Sequence, residues 1–298
     1  MSNATTSLRY VLLEQHSISY KSSHPPISTR IVEMMVPMIL AMATLLSQHC
    51  HAYEGDRGFL FRSITVDNNE YTYQVYVPNI YAATAPSPLI LFLHGAGERG
   101  DSGLLPTETG LGSAIRKKPS RFPSIVVFPQ CPLDNWWGSS LCNKIANNAM
   151  KDTLEEFLID TQRMYLTGVS MGGYGVWNMA ASNVRQWAAI VPIAGRLVPG
   201  GGHKPSPGTI PFEYKGDAIF KETAKMVQNV PIWIIHGELD NVVPVSESRN
   251  IFQHLESDKN VNLVRYSEMA EMGHNVWDTA YNNVEIIDWM FSQRLTPQ

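Results

Sequence analysis

Positive charge is sparse and scattered in this 298-residue sequence. Lys and Arg number 23 against 27 Asp and Glu, the formal net charge is −4, and no basic run is longer than Arg116–Lys118. A protein that binds nucleic acid through phosphate contacts needs a clustered basic surface. We therefore exclude nucleic acid as a partner.

The sequence also lacks an apolar run long enough to cross a bilayer as a helix. Its block Met34–Leu46 falls short of the roughly 20 residues that a span requires. The block instead resembles the apolar core of a signal peptide, and Cys50 to Ala52 offers a small-x-small cleavage site before Tyr53. The alternative is a buried helix that leads into the following domain.

These features predict three segments. Residues 1–33, rich in Ser, Thr and His, form a disordered leader; residues 34–52 form the signal-peptide-like segment; and residues 53–298 form a single domain. The protein is then secreted or periplasmic, or cytoplasmic if residues 34–52 are not a signal.

Cysteine is scarce, with three residues in the chain. Cleavage after Ala52 would leave Cys131 and Cys142, which could close a short loop in an oxidising compartment. Two separate buried thiols are the alternative. No cysteine has metal-ligand spacing with histidine, and no metal or organic cofactor is implied.

The rest of the chain alternates between strand and helix patterns. Residues 61–66 and 71–77 alternate around Asp67 to Asn69, which predicts an antiparallel hairpin. Apolar runs then recur between segments of helical periodicity, the last of them at 277–293. Continuous apolar runs are typical of strands buried on both faces. The sequence therefore predicts an α/β fold with a mostly parallel central sheet, helices on both faces and an N-terminal hairpin.

The most informative stretch is Tyr165–Trp177, which contains Gly168-Val-Ser170-Met-Gly172. An apolar strand leads in and a helix-compatible run follows, so Ser170 lies at the tip of a sharp turn. A serine hydroxyl is a weak nucleophile, and a strand–turn–helix of this kind presents it to a base. We interpret Ser170 as a catalytic nucleophile.

The base and the acid are sought at other strand ends, where functional residues of such sheets collect. In the chain order Ser, acid, His, His274 is the candidate base and Asp240 the candidate acid. Glu238 lies in the same turn as Asp240 and competes for that role. His94 and His236 each follow a strand and precede Gly, which favours structural roles that brace turns.

A serine that attacks a carbonyl carbon also requires groups that stabilise the oxyanion formed on the carbonyl oxygen. The backbone N–H of Met171, just after the nucleophile, is one predicted donor, and the loop after strand 89–93 supplies the second through Ala96 or Gly97. Trp136 and Trp137 follow strand 125–128 at the same sheet edge. They are candidates for an aromatic wall of the substrate site, with core packing as the alternative.

Several of these stretches together resemble the α/β-hydrolase superfamily, and most closely its phospholipase/carboxylesterase and dienelactone-hydrolase-like branch. Within that branch the sequence is similar to secreted feruloyl esterases, polyhydroxybutyrate-depolymerase-like proteins and predicted peptidases. The stretches that carry the resemblance are Leu91–Gly100, Val127–Pro132 with Trp136 and Trp137, Tyr165–Trp177, His236–Asp240 and Gly273 with His274.

The resemblance implies the α/β-hydrolase fold and an esterase whose triad is Ser170, Asp240 and His274. Its substrate would be a small-molecule or carbohydrate-linked ester. Glu238 and Leu239 fill a turn that often holds smaller residues in the family, so the geometry of the acid is open. Two alternatives remain: a serine peptidase of the same fold acting on short peptides, and a catalytically silent hydrolase fold that only binds.

Overall fold

Eight strands form one sheet in the part of the chain that the structure describes, residues 55–197, 216–257 and 263–295 of a computed structural model. The strands are β1 (Gly58–Val66), β2 (Asn69–Val77), β3 (Ser87–Leu93), β4 (Ile125–Phe128), β5 (Ile159–Val169), β6 (Ala189–Ile193), β7 (Ile232–Gly237) and β8 (Val264–Met269). The predicted segments 1–33 and 34–52 lie outside the described residues.

Seven α-helices accompany these strands in the described residues. They are α1 (Gly110–Lys117), α2 (Ser140–Glu156), α3 (Met171–Ser182), α4 (Asp217–Val227), α5 (Ser246–Ser257), α6 (Trp277–Asn282) and α7 (Val284–Ser292). None of the helices in these ranges is long and apolar enough to cross a membrane.

The predicted N-terminal hairpin is present and joins β1 to β2. Asp67 and Asn68 both have positive φ, 48° and 64°, and Val66 pairs with Asn69. Two consecutive residues of positive φ make the tight turn that matches the twist of an antiparallel pair, and Asp and Asn tolerate that backbone better than most residues.

The sheet has the order β1-β2-β4-β3-β5-β6-β7-β8. β2 runs antiparallel to β1 and β4, and all pairs from β4 to β8 are parallel. The predicted α/β architecture is therefore confirmed. Because β3 and β5 to β8 are parallel, their carboxyl ends meet at one edge, where ligands bind in sheets of this type.

Two apolar clusters cover the two faces of the sheet. In β3, Leu89, Leu91 and Leu93 belong to one cluster, whereas Ile90 and Phe92 belong to the other, and all five are fully buried. The continuous apolar run of this strand thus reflects burial on both sides. Each such side chain contributes roughly 1.5–3 kcal/mol of transfer free energy, which holds the strand ends in place.

The C-terminal helical segment differs from its prediction. A single helix was expected over 277–293, but α6 ends at Asn282 and α7 begins at Val284. The Asn283 side chain accepts a hydrogen bond from the N–H of Glu285 at 2.9 Å. Asparagine is a preferred N-cap because its oxygen satisfies an unpaired N–H of the first turn, so Asn283 starts a new helix within the same apolar pattern.

The helical periodicity of the sequence predicts a helix from Asn147 to Ile159, but α2 begins at Ser140 and ends at Glu156. Its N-cap is Ser139, whose Oγ accepts from the N–H of Cys142 at 3.1 Å. The short helix α1 is absent from the sequence-based assignment, because its eight residues include two glycines, which disfavour a helix.

Candidate active site

Ser170 lies between β5, which ends at Val169, and α3, which begins at Met171. Its backbone has φ 55° and ψ −114°, a conformation that costs of order 1–3 kcal/mol for a residue with a side chain. The N–H of Ser170 donates to the carbonyl of Ile193 at 2.9 Å. The neighbouring strand β6 thus fixes the strained turn and holds the hydroxyl clear of the sheet.

Glycine at 168 and 172 lets the turn lie directly against β3. A Cβ built on Gly168 would stand 2.7 Å from the carbonyl oxygen of Leu93, and one on Gly172 would overlap the backbone of Leu93. Any side chain at these positions would push the turn away from the end of β3. This close approach places Ser170 beside the loop that follows Leu93.

The structure brings Ser170, His274 and Asp240 together, although they come from three separate strand ends. His274 Nε2 lies 2.8 Å from Ser170 Oγ, and His274 Nδ1 lies 2.7 Å from Asp240 Oδ2. A carboxylate only accepts, so Nδ1–H donates to Asp240 and Nε2 is left to accept from the serine hydroxyl. This tautomer is the one that a general base for Ser170 requires.

Asp240 is held by several donors besides His274. Its Oδ1 accepts from the N–H groups of Val242 and Val243, at 2.8 and 2.9 Å. Burial raises the pKa of this carboxyl, but the hydrogen bonds from His274 and these two N–H groups outweigh burial, so the pKa lies below its usual value. Asp240 is therefore ionised at neutral pH with its side chain fully buried.

Glu238, the competing acid, points elsewhere. It is exposed, and its Oε2 accepts from the backbone N–H of Glu271 at 2.9 Å. Of the two carboxylates in this turn, the described hydrogen bonds link only Asp240 to His274.

His236 makes a contact that the sequence reasoning missed. Its Nε2 lies 2.9 Å from the carbonyl oxygen of Val243 and 3.1 Å from Asp240 Oδ2, and its Nδ1 lies 2.7 Å from Ser248 Oγ. Burial lowers the pKa of His236, so the neutral ring donates from Nε2. The four-residue separation of His236 and Asp240 within one turn was the available signal.

The loop after β3 forms the other side of Ser170. Residues Ala96–Glu98 make one turn of 3₁₀ helix after Gly95. A Cβ built on Gly95 would lie 3.8 Å from the Cβ of Ser170, so this backbone passes next to the nucleophile. Ala96 lines the pocket around Ser170, while Gly97 is exposed. Gly95 was not among the residues predicted for the oxyanion loop.

The side chain of His94 fixes the backbone of this loop through hydrogen bonds. It is fully buried, its Nδ1 lies 2.6 Å from the carbonyl oxygen of Gly95, and its Nε2 accepts from the N–H of Cys131 at 2.9 Å. Both bonds require a neutral ring with the proton on Nδ1. Burial lowers the pKa of His94 to about 4, so this neutral form prevails at neutral pH.

The two tryptophans have different environments. Trp137 is buried, donates from Nε1 to the carbonyl of His94 at 2.8 Å and packs edge-on against the His94 ring. The core-packing alternative therefore describes Trp137. Trp136 lines the pocket that contains Ser170, and the guanidinium of Arg99 lies 5.4 Å from its ring centroid.

A disulfide joins Cys131 to Cys142, with their Cα atoms 5.4 Å apart. It closes the loop that carries Trp136 and Trp137. Arg99 ties this loop to the one after β3, because it donates to the carbonyls of Ala96 and Leu133 at 3.0 and 2.8 Å. The bridge and these bonds connect the two loops beside Ser170.

The pocket at Ser170 has a volume of about 290 Å³. Its lining is largely apolar or aromatic and contains a single charged residue, Arg196. The lining residues are Ala96, Trp136, Ser170, Met171, Tyr174, Arg196, Val242 and Val243. Within the described ranges, no group of three or more His, Cys, Asp or Glu side chains is arranged to hold a metal ion.

Comparison with known proteins yields structural relatives. No protein family and no curated protein matches the sequence. A thermostable esterase matches with a TM-score of 0.63 and 30% identity over 79% of this chain, which spans only 63% of that esterase.

Two further solved structures show the same fold at lower identity. The feruloyl esterase module from Clostridium thermocellum, in a mutant form complexed with sinapinate, has a TM-score of 0.59 and 12% identity over 80% of this chain and 90% of its own. A fluorophosphonate-binding serine hydrolase of Staphylococcus aureus has a TM-score of 0.59 and 16% identity, over 80% of this chain and all of its own. These likenesses confirm the predicted fold.

Proposed function

We propose that this chain, which belongs by its fold to the α/β-hydrolase superfamily, is a serine carboxylic-ester hydrolase. The observation that carries the proposal is the continuous chain of hydrogen bonds from Ser170 Oγ through His274 to Asp240, at 2.8 and 2.7 Å. The strained backbone of Ser170 supports it further, because strain of this kind is kept where it presents a reacting group.

In the first half of the reaction, Ser170 Oγ attacks the ester carbonyl carbon and its proton passes to His274 Nε2. The carbonyl oxygen becomes an oxyanion, which accepts hydrogen bonds from the N–H of Met171 and that of Ala96 or Gly97. Collapse of the tetrahedral intermediate breaks the bond to the alcohol oxygen, which takes the proton from His274. The products are a free alcohol and an acyl group on Ser170.

Water completes the cycle by the same route. It attacks the acyl carbonyl carbon while His274 Nε2 takes its proton, and collapse of the second intermediate returns that proton to Ser170 Oγ and releases the acid. Asp240 remains ionised throughout because its pKa is below the usual value. Its negative charge stabilises the imidazolium that forms in both halves.

The first turn of α3 is suited to binding the oxyanion. The leading N–H groups of a helix have no carbonyl partner within that helix, and they carry a partial positive charge. Met171 is the first residue of α3 and lines the pocket that contains Ser170, so its N–H is one of these leading groups. Loss of one such donor in a hydrolase of this type costs roughly 10²–10³ in rate.

The pocket favours a small-molecule or carbohydrate-linked ester as substrate. A volume of about 290 Å³ with Trp136 on one wall suits a compact acyl or alcohol group with an apolar body. The complex of the Clostridium thermocellum feruloyl esterase module with sinapinate makes aromatic acyl esters a reasonable part of a substrate panel, beside acetyl, butyryl and long-chain esters.

The proposal is tested by the Ser170→Ala substitution. We expect release of p-nitrophenol from short acyl esters to fall by several orders of magnitude, because the nucleophile is lost. Ser182→Ala is a matched control, since Ser182 lies at the far end of α3 and bonds the carbonyl of Asn178. Unchanged activity in Ser170→Ala would refute the assignment.

We also propose that the protein is exported to the cell exterior or the periplasm. The disulfide between Cys131 and Cys142 supports this, because such bridges persist in oxidising compartments and are rare in the cytosol. N-terminal sequencing of the mature protein is the test. Cleavage near Ala52 is expected, and an intact segment 34–52 on a cytoplasmic protein would contradict it.

A further inference from the structure

We propose that Arg196 makes the pocket beside Ser170 selective for esters that carry a carboxylate on the half of the molecule that occupies this pocket. Monoesters of dicarboxylic acids are the simplest such substrates. The inference rests on the proposed ester hydrolase function and names a substrate class for the same site.

The backbone before Arg196 is fixed against the nucleophile turn. Ala194 has φ 47° and its N–H donates to the carbonyl of Ile235 at 2.9 Å. A Cβ built on Gly195 would stand 2.7 Å from the Cα of Gly173 in the first turn of α3. The chain between β6 and Arg196 therefore packs against the helix that follows Ser170. This packing fixes the backbone that carries Arg196 at the pocket.

The guanidinium of Arg196 is anchored on the acid side of the pocket. Its Nη2 donates to the carbonyl of Val242 at 2.9 Å, and the N–H of Val242 in turn donates to Asp240 Oδ1. An arginine head group carries five N–H donors. The described hydrogen bonds use one of these donors, so the guanidinium of Arg196 retains donors for a second acceptor.

Charge balance at the pocket points to an anionic ligand. The seven other lining residues are uncharged, and the described part of the chain contains no ion pair between Arg196 and a carboxylate. Glu247 approaches the same turn, but its Oε2 accepts from the N–H of Leu197 at 3.2 Å. Arg196 is thus a lone cation on an otherwise neutral wall, next to the reacting serine.

Arginine in this setting matches a carboxylate in geometry as well as charge. Its planar guanidinium donates two parallel hydrogen bonds to the oxygens of a carboxylate, and it is less strongly hydrated than the ammonium group of lysine. The walls formed by Trp136, Met171 and Val243 would cover the apolar part of the substrate between the ester and the anion. A neutral ester would leave the guanidinium without this partner.

The test compares monoethyl adipate with diethyl adipate, which differ by one carboxylate, and measures the ratio of their kcat/KM values. We expect the wild-type protein to prefer the monoester. In Arg196→Gln the ratio falls by about tenfold to a hundredfold, the range expected for loss of a charge-assisted hydrogen bond. Arg196→Lys retains part of the preference, and added salt weakens it in the wild type because Arg196 is only partly buried.

Arg62→Gln is the matched control. It removes the same charge, but from edge strand β1, where Arg62 pairs with Glu156. The inference predicts that only the Arg196 variants change the ratio. An equal fall in Arg62→Gln would overturn it, and so would ratios that Arg196→Gln leaves unchanged both for this pair and for the alcohol-side pair described next.

A second pair of substrates locates the anion. An acetate ester of a hydroxycarboxylic acid carries its carboxylate on the alcohol half, whereas monoethyl adipate carries it on the acyl half. An Arg196-dependent preference for either one over its neutral counterpart supports the inference and identifies the half that enters the pocket; no preference for either overturns it.

The two proposals fail in different ways. A wild-type protein that hydrolyses diethyl adipate but prefers neither anionic ester over its neutral counterpart refutes the role of Arg196 and leaves the esterase intact. A folded protein that hydrolyses none of these esters refutes both. Labelling of Ser170 by a fluorophosphonate in Arg196→Gln shows that the nucleophile turn is preserved in the variant.

Discussion

Two turns of the molecule begin with the same dipeptide, His-Gly, at the end of a parallel strand. One turn begins at His94 after β3 and passes one side of Ser170; the other begins at His236 in β7 and leads to Asp240. Both histidines are fully buried, and burial lowers the pKa of both rings. The local sequence and environment are alike.

The partners of the two histidines differ. Among the described residues, His94 hydrogen-bonds to backbone groups alone, those of Gly95 and Cys131, and so fixes the loop expected to hold the oxyanion. His236 bonds Ser248 and Val243 and also lies 3.1 Å from the Asp240 carboxylate. In the turn that begins at His94, which we call the oxyanion side, the buried histidine holds backbone groups. In the turn that begins at His236, which we call the acid side, it holds the charged side chain of Asp240.

The largest expected effect comes from the acid side. Asp240→Asn keeps the shape of the side chain but removes the charge that orients His274 and stabilises its imidazolium. We expect kcat to fall by roughly 10³–10⁴ on a short acyl ester, as in other serine hydrolases that lose this group. Steady-state kinetics at neutral pH provide the measurement.

Glu238→Gln is the matched control for this substitution, because Glu238 lies in the same turn and bonds the N–H of Glu271 instead. Its kcat should stay within a few-fold of the wild type. A larger loss in Glu238→Gln than in Asp240→Asn would transfer the role of the acid to Glu238.

The oxyanion side is tested through the pH dependence of stability. The folded-state pKa of His94 is about 4, below its usual value of about 6.5, so the unfolded chain binds the extra proton first. The neutral ring therefore stabilises the fold fully above pH 6.5, and this stabilisation is lost as the pH falls toward 4. His94 accounts for a loss of roughly 2 kcal/mol in the free energy of unfolding between pH 7 and pH 5.

Urea unfolding at the two pH values measures this loss, with His94→Gln as the comparison. The variant is expected to be less stable at pH 7 and to have a shallower decline, because the remaining decline comes from other groups such as His236. Burial raises the pKa of Glu98 in the same loop, which acts in the opposite direction at lower pH. A variant with the full wild-type slope would show that His94 is not the group that titrates.

The last prediction concerns the disulfide that supports the oxyanion side. Replacement of both Cys131 and Cys142 by Ser opens the loop between these positions, which are eleven residues apart in sequence. We expect this double substitution to lower the free energy of unfolding by about 2–3 kcal/mol. Activity should fall less than in Asp240→Asn, because Arg99 still joins the two loops through backbone carbonyls. A wild-type protein treated with reductant should match the double variant in thermal unfolding; no difference from the oxidised protein would contradict a structural role for the bridge.

Much of the site could be predicted from the sequence because its chemistry is encoded locally. Ser170 is marked by its glycines and by the apolar strand before it, and the chain order of serine, acid and base leaves few candidates. The fold was predictable for a similar reason, since buried parallel strands read as continuous apolar runs.

The rest depends on contacts between segments that are distant in sequence. Trp136 and Trp137 are adjacent and identical in type, yet one lines the pocket and the other packs on His94. Arg196 reaches the pocket only because β6 lies beside β5. The break at Asn283 was missed because one N-cap bond interrupts an apolar pattern that otherwise continues.

Reaction of the folded protein with a fluorophosphonate, followed by digestion and mass spectrometry, tests whether Ser170 is the activated nucleophile. Such a probe reacts with a serine only when a base activates it. We expect a single modified residue, Ser170, and no modification in Ser170→Ala. A folded protein that stays unmodified, or one modified at another serine, would contradict the account.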